Sequence, residues 1–116
     1  MRELQVERDC LMWLNKNGWY AWKVQNGAIY DAKTGSYRKL SQFHVRGISD
    51  AIAVSDSGVV VFIEFKNETG RQSKDQENFE RQIKKRKGNY LLVRSIDELK
   101  EKLHETLQHS LHPLQD

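Results

Sequence analysis

The stretch Gly47 to Gln76, GISDAIAVSDSGVVVFIEFKNETGRQSKDQ, constrains the fold more than any other part of the chain. An apolar run, Val59 to Phe65, is interrupted only by Glu64; it follows the turn-forming residues Ser55-Asp56-Ser57-Gly58, which themselves follow Asp50-Ala51-Ile52-Ala53-Val54. Two such runs across a short turn form a β-hairpin. If Asp56 to Gly58 make the loop, Ser55 pairs with Val59 and Asp50 lies opposite Glu64, with Cβ atoms about 5 Å apart. Side chains alternate along a strand, so Glu64 and Lys66 share one face while Ile63 and Phe65 point the other way. Two carboxylates and an ammonium then converge on one patch of sheet.

Like charges facing each other on a sheet repel, and a hydrophobic run of this kind suits a strand covered on both faces, where a lone carboxylate is costly to desolvate. A divalent cation answers both difficulties. Asp and Glu oxygens suit Mg²⁺, which keeps several waters and takes further ligands from a phosphate-bearing substrate. The same spacing also fits a surface hairpin with a Glu64–Lys66 ion pair and a solvated Asp50, and pattern alone leaves both readings open.

With 116 residues, 38% hydrophobic and 30% charged, the chain makes one domain with a single modest core. Its longest apolar run is far short of the roughly 20 residues of a membrane span. The first residues, MRELQVERD, carry charges throughout and do not resemble a secretory leader. A single cysteine, Cys10, has no internal disulfide partner and fits a reducing compartment, so a cytoplasmic protein is expected. The formal charge of +3 permits nucleic-acid binding without requiring it.

Residues 2–17 read as a helix, with Leu4, Val6, Cys10, Leu11, Trp13 and Leu14 on one broad face and Asn17-Gly18 as its stop. Glu7 falls inside that apolar face and Glu3 one turn earlier; such a carboxylate either reaches water at the margin of the stripe or has a buried partner such as a metal. Trp19 to Gln25 reads as the first strand. Asn26 to Arg46 is a long loop or irregular hairpin, whose basic residues Lys33, Arg38, Lys39 and Arg46 and aromatic residues Tyr30, Tyr37 and Phe43 suit either a nucleic-acid backbone or plain solvent.

Beyond the central hairpin, Ser73-Lys74-Asp75-Gln76 matches a capping box, opening a helix that runs to about Lys87 and stops at Gly88. Gln76 is then either a cap residue or a polar group turned toward the carboxylates. The helix ends in Arg81 to Lys87, with five basic residues in seven, which complements the helix dipole and also suits phosphate binding. Tyr90 to Arg94 is a further strand, reached by a βαβ crossover. Ser95 to Glu98 is a second capping box, and Ile96, Leu99, Leu103 and Leu107 stripe the final helix. His44, His104, His109 and His112 lack metal-ligand spacing, and His109 to Asp116 is a frayed tail. The expected architecture is α/β: a mixed sheet flanked by helices in αβββαβα order, within which the first helix can lay Glu7 near Asp50 and Glu64.

The ordered series Gly47-Ile48-Ser49-Asp50, Phe62-Ile63-Glu64-Phe65-Lys66, Gly70-Arg71-Gln72-Ser73 and Gln76 resembles the VRR-NUC domain of the PD-(D/E)xK nuclease superfamily, with its restriction-endonuclease-like fold. That family's core reads GxPD, then ExK, then a Ser and a Gln on the following helix. The likeness spans nearly the whole chain. Val6-Glu7-Arg8 with Leu14 and Gly18 is also similar to the first helix of archaeal Holliday junction resolvases of the same superfamily. Ser49 departs from the usual proline, at a position that shapes backbone and supplies no ligand.

The resemblance implies a Mg²⁺- or Mn²⁺-dependent endodeoxyribonuclease. Asp50, Glu64 and the backbone carbonyl of Phe65 would bind the metal, with Glu7 as a further ligand and Glu3 in reserve. Lys66 would orient or help deprotonate the attacking water, and Gln76 would orient Lys66 or that water. Arg46, Arg71, Ser73, Lys74, Lys84, Lys85, Arg86 and Lys87 are the candidate DNA contacts. Small free-standing members, often from phages, resemble junction resolvases that act as homodimers, because a four-way junction needs two symmetric cuts. A nuclease for flaps, nicks or a recognition sequence is an alternative. So is a nucleic-acid-binding module without catalysis, although a mere binder has no use for an acidic cluster.

Overall fold

The computed structural model describes residues 1–24, 30–37 and 42–111, with residues 30, 31, 37 and 111 described by their backbone alone. The elements are helix α1 (Glu3–Lys16), strands β1 (Tyr20–Lys23), β2 (Tyr30–Asp31), β3 (Ser36–Tyr37), β4 (Ala51–Val54) and β5 (Val60–Phe65), helix α2 (Lys74–Lys85), strand β6 (Asn89–Val93) and helix α3 (Ile96–Leu111). The main sheet has the order β1-β4-β5-β6, antiparallel except for the β5–β6 pair, and β2-β3 forms a separate two-stranded ribbon. The α/β class and the expected element order are therefore those of the structure, and the ribbon is the irregular hairpin within the long connection.

The hairpin has the register that its turn residues dictate. Ala51 faces Ile63 and Val54 faces Val60, and the Ser55 amide donates to the Val59 carbonyl at 2.9 Å. Gly58, at φ +85°, takes the left-handed conformation that closes the loop. Alternation then sorts the side chains of β5. Val61, Ile63 and Phe65 are fully buried with Val6, Cys10 and Leu14 of α1 and Leu99 and Leu103 of α3. Each such side chain contributes about 1.5–3 kcal/mol of transfer free energy. On the opposite face, Phe62 meets α2 through Phe79, whose ring stands edge-on at 5.7 Å and lies 6.0 Å from Tyr90. Glu64 is on this second face.

The α1 stripe is narrower than the sequence pattern suggests: Val6, Cys10 and Leu14 are buried, whereas Leu4 is 69% exposed. Burial, reinforced by Asp9, pushes the Cys10 thiol up to about 12, so it serves as an apolar core residue. The Ser73–Gln76 capping box forms as expected. The second box forms only by half. Ser95 Oγ accepts from the Glu98 amide at 3.1 Å, but the Glu98 carboxylate reaches one residue further back, to the Arg94 amide at 3.0 Å. Helix α2 stops before the expected Lys87, and the residue in the left-handed conformation is Lys87 (φ 63°), not Gly88. Gly88 is needed for space, since a Cβ there would lie 2.7 Å from the Ile83 side chain. Among the described residues no helix is long and apolar enough to cross a membrane.

Candidate active site

Asp50 lies just before β4, and the hairpin register carries it opposite Glu64. Its Oδ2 accepts from the Phe65 amide at 2.8 Å, and its backbone carbonyl accepts from the Val24 amide. Asp50 is thereby joined to β5 by its side chain and to the chain beyond β1 by its backbone. The preceding loop is held from another side. Gly47, at φ +72°, runs so close to the first turn of α2 that a Cβ would stand 2.3 Å from the Asp75 carbonyl carbon. Only glycine meets both conditions. Ser49 is fully buried and donates its hydroxyl to the Ala51 carbonyl at 3.1 Å, so the hydrogen bond ties down the turn into β4.

Glu64 is fully buried. Its Oε1 accepts from the Tyr90 hydroxyl at 2.8 Å, while its Oε2 is buried with no hydrogen-bond partner. Burial raises the Glu64 pKa, and the nearby Asp50 charge adds to this; the Tyr90 hydrogen bond and the Lys66 ammonium act against it. The Asp50 pKa is raised as well, chiefly by burial and further by the charges of Glu3 and Glu7, against the Phe65 amide and Lys66. Asp50, Glu64 and Lys66 therefore act on one another electrostatically. Lys66 is 9% exposed. A tight turn packs over its aliphatic stem. A Cβ on Gly70 would lie 3.2 Å from Lys66 Cδ, Asn67 Oδ1 accepts from the Gly70 amide at 2.7 Å, and Arg94 Nη1 donates to the carbonyls of Asn67 and Gly70 at 2.7 Å each.

Other candidate residues take different places. Glu7 is at the margin of the apolar stripe and pairs with Lys23 at 3.2 Å. Among the described residues no three His, Cys, Asp or Glu side chains come together as a metal site, while the charges of Glu7 and Glu3 act on Asp50. The oxygen of Gln76 accepts from the Ser73 amide at 2.8 Å, which is the cap geometry. The glutamine beside Glu64 is Gln72, whose amide donates to Glu80 at 2.9 Å and to the Tyr90 hydroxyl at 3.3 Å. Tyr90, Gln72, Asn67 and Arg94 carry no sequence signal, because each acquires its role through contacts made across strands and loops.

The candidate DNA contacts are exposed but do not form one patch. Arg46, Arg71, Ser73 and Lys74 surround the start of α2. Lys84 to Lys87 sit at its other end, on the order of 17 Å away along the helix. Lys84 is paired with Glu80, and Arg86 donates to the Gln82 side chain and carbonyl. Within the long loop, Asn26 to Ile29, Arg38 and Lys39 lie outside the described residues, as do the Tyr30 and Tyr37 side chains. So does the tail from His112, including Pro113.

No known family model matches this chain. No curated protein matches it either.

A divalent cation fits the residues present. Mg²⁺ commonly uses one or two carboxylates and fills its remaining positions with water and phosphate oxygen, so a two-carboxylate site needs no third acid. The orphaned Glu64 Oε2 is the kind of atom such a cation satisfies, since a buried carboxylate oxygen without a partner is otherwise costly.

Proposed function

We propose that this protein is a metal-dependent, structure-specific DNA endonuclease acting as a homodimer on branched DNA, four-way junctions in particular. The observation that carries the reading is the meeting of Asp50 and Glu64 across the hairpin beside Lys66, with Glu64 Oε2 buried and unpartnered. A structural hairpin gains nothing from that arrangement. It desolvates two carboxylates, raises both pKa values and leaves one oxygen unsatisfied. Such departures from good packing are characteristic of functional sites.

Asp50, Glu64 and the Phe65 carbonyl are the groups that would hold Mg²⁺ or Mn²⁺. The ion supplies Lewis-acid polarisation of a phosphoryl oxygen and a lowered pKa for bound water. The protein's own part follows from its geometry. The Phe65 amide fixes the Asp50 carboxylate, so one oxygen is committed and the other is left for a ligand. Lys66, pinned beneath the Asn67–Gly70 turn, brings a positive charge to where a phosphodiester gains negative charge during in-line attack. In this reading Lys66 acts as an electrostatic stabiliser of that developing charge. Arg46, Arg71 and Lys74 lie around the start of α2, where a backbone phosphate would approach, and Lys84 to Lys87 would hold a second part of a branched substrate. A C2 dimer would present two such sites to opposed strands. The single buried cysteine suits a reducing, cytoplasmic setting.

The deciding experiment incubates the protein with labelled four-way junction and with linear duplex, in Mg²⁺, in Mn²⁺ and in EDTA. Junction cleavage that needs the metal and disappears in Glu64→Ala and Lys66→Ala is expected. Equal cutting of duplex and junction would remove the junction claim. Absence of cleavage on a panel that adds flaps and nicked duplex would remove the nuclease claim altogether.

A further inference from the structure

The geometry points to Tyr90 as a positioning residue that turns Glu64 so that Oε2 faces a metal ion. This deepens the nuclease reading and rests on Glu64 being a ligand. Tyr90 is on β6, in register with Phe62 of β5, so its side chain shares the face of Phe62 and Glu64 and the ring reaches diagonally to Glu64. Its hydroxyl contacts Glu64 Oε1 at 2.8 Å, and both residues are buried.

The direction of that hydrogen bond is determined by the neighbouring groups. Gln72 Nε2 donates to Glu80 Oε1 at 2.9 Å and to the Tyr90 oxygen at 3.3 Å. The opposite amide orientation would set the Gln72 oxygen against the Glu80 carboxylate, which Lys84 holds from its other side. A phenol has one proton. With its oxygen accepting from Gln72, that proton goes to Glu64. The chain Glu80–Gln72–Tyr90–Glu64 therefore runs from the α2 surface to the buried carboxylate, and it uses one carboxylate oxygen while leaving the second free. Phe79 holds the Tyr90 ring by packing alone, so removing the hydroxyl leaves the ring in place.

Outer groups that orient metal ligands typically account for about 10- to 100-fold in affinity. The test is Mn²⁺ binding by calorimetry to the intact chain without DNA, comparing wild type, Tyr90→Phe, Gln72→Met and Glu64→Ala, with thermal melts of each. The expected result is Mn²⁺ affinity reduced about tenfold or more in Tyr90→Phe, a smaller reduction in Gln72→Met, loss of binding in Glu64→Ala, and a Tyr90→Phe melt that shows a single cooperative transition. Affinity in Tyr90→Phe within twofold of wild type, with Glu64→Ala still abolishing binding, would overturn the positioning role and leave the nuclease reading standing. If Tyr90→Phe does not fold, unchanged affinity in Gln72→Met overturns the role instead. Wild-type protein that binds no Mn²⁺, or Glu64→Ala that binds as well as wild type, would remove the metal site itself and with it the role of Tyr90.

Discussion

The carboxylate of Asp50 accepts the backbone amide of Phe65 at 2.8 Å, so a group proposed to bind metal also holds together the end of the hairpin. The two roles separate on substitution. Asn keeps an oxygen that can accept from the amide but loses the charge, whereas Ala loses both. Asp50→Asn is expected to be inactive in Mg²⁺ yet nearly as stable as wild type. Asp50→Ala should be inactive and less stable by about 1–3 kcal/mol, the effect of leaving a partly buried amide unpaired. Urea unfolding of the two variants checks this; equal stability would mean that the hydrogen bond carries no structural weight.

Glu64 and Asp50 both have carboxyl pKa values raised by burial. A carboxyl raised in the folded state binds its proton more tightly there than in the unfolded chain. Its stabilising contribution is thus fully present below the ordinary carboxylate pKa of about 4 and is lost as pH rises through the folded value. In EDTA, Glu64→Gln should therefore melt above wild type at pH 7, and the difference should shrink toward pH 4. Mn²⁺ at pH 7 should raise the wild-type melt and leave Glu64→Gln almost unmoved. A metal-free Glu64→Gln that melts no higher than wild type at neutral pH would show that the buried charge is already compensated.

Gly47→Ala meets two obstacles, a left-handed backbone and the carbonyl of Asp75 at 2.3 Å. Strain of the first kind alone is about 1–2 kcal/mol, and displacing the α2 start adds to it, so a total loss of roughly 2–4 kcal/mol is expected. Because Gly47 leads into Asp50, metal affinity should fall with stability. Denaturant midpoints together with Mn²⁺ titration provide the measurement, and a loss below 1 kcal/mol would mean that the loop gives way easily.

Lys87 combines strain with a candidate DNA contact. Replacing it by glycine relieves the left-handed backbone and should stabilise by about 0.5–1 kcal/mol, net of the added freedom of the unfolded chain. The same change removes one cation, so DNA affinity should weaken and its logarithmic salt slope should fall by about 1 if Lys87 contacts phosphate. An unchanged salt slope would take Lys87 out of the DNA surface while leaving the stability gain intact.

Much of this architecture is determined locally and is legible in the chain itself. The turn Ser55 to Gly58 and the alternation through Phe65 dictate the hairpin register and so bring Asp50 opposite Glu64. Ser73 and Gln76 specify where α2 begins. These outcomes depend on interactions within a few residues or across one tight turn, and such interactions have a readable period. The tertiary structure decided the rest. It paired Glu7 with Lys23, brought Gln72 rather than Gln76 beside Glu64, aimed the Tyr90 hydroxyl at one carboxylate oxygen, and packed the turn held by Arg94 over Lys66. Each of these partners comes from a different element, and the direction of a buried hydrogen bond depends on all the groups packed around it, which no spacing along the chain encodes.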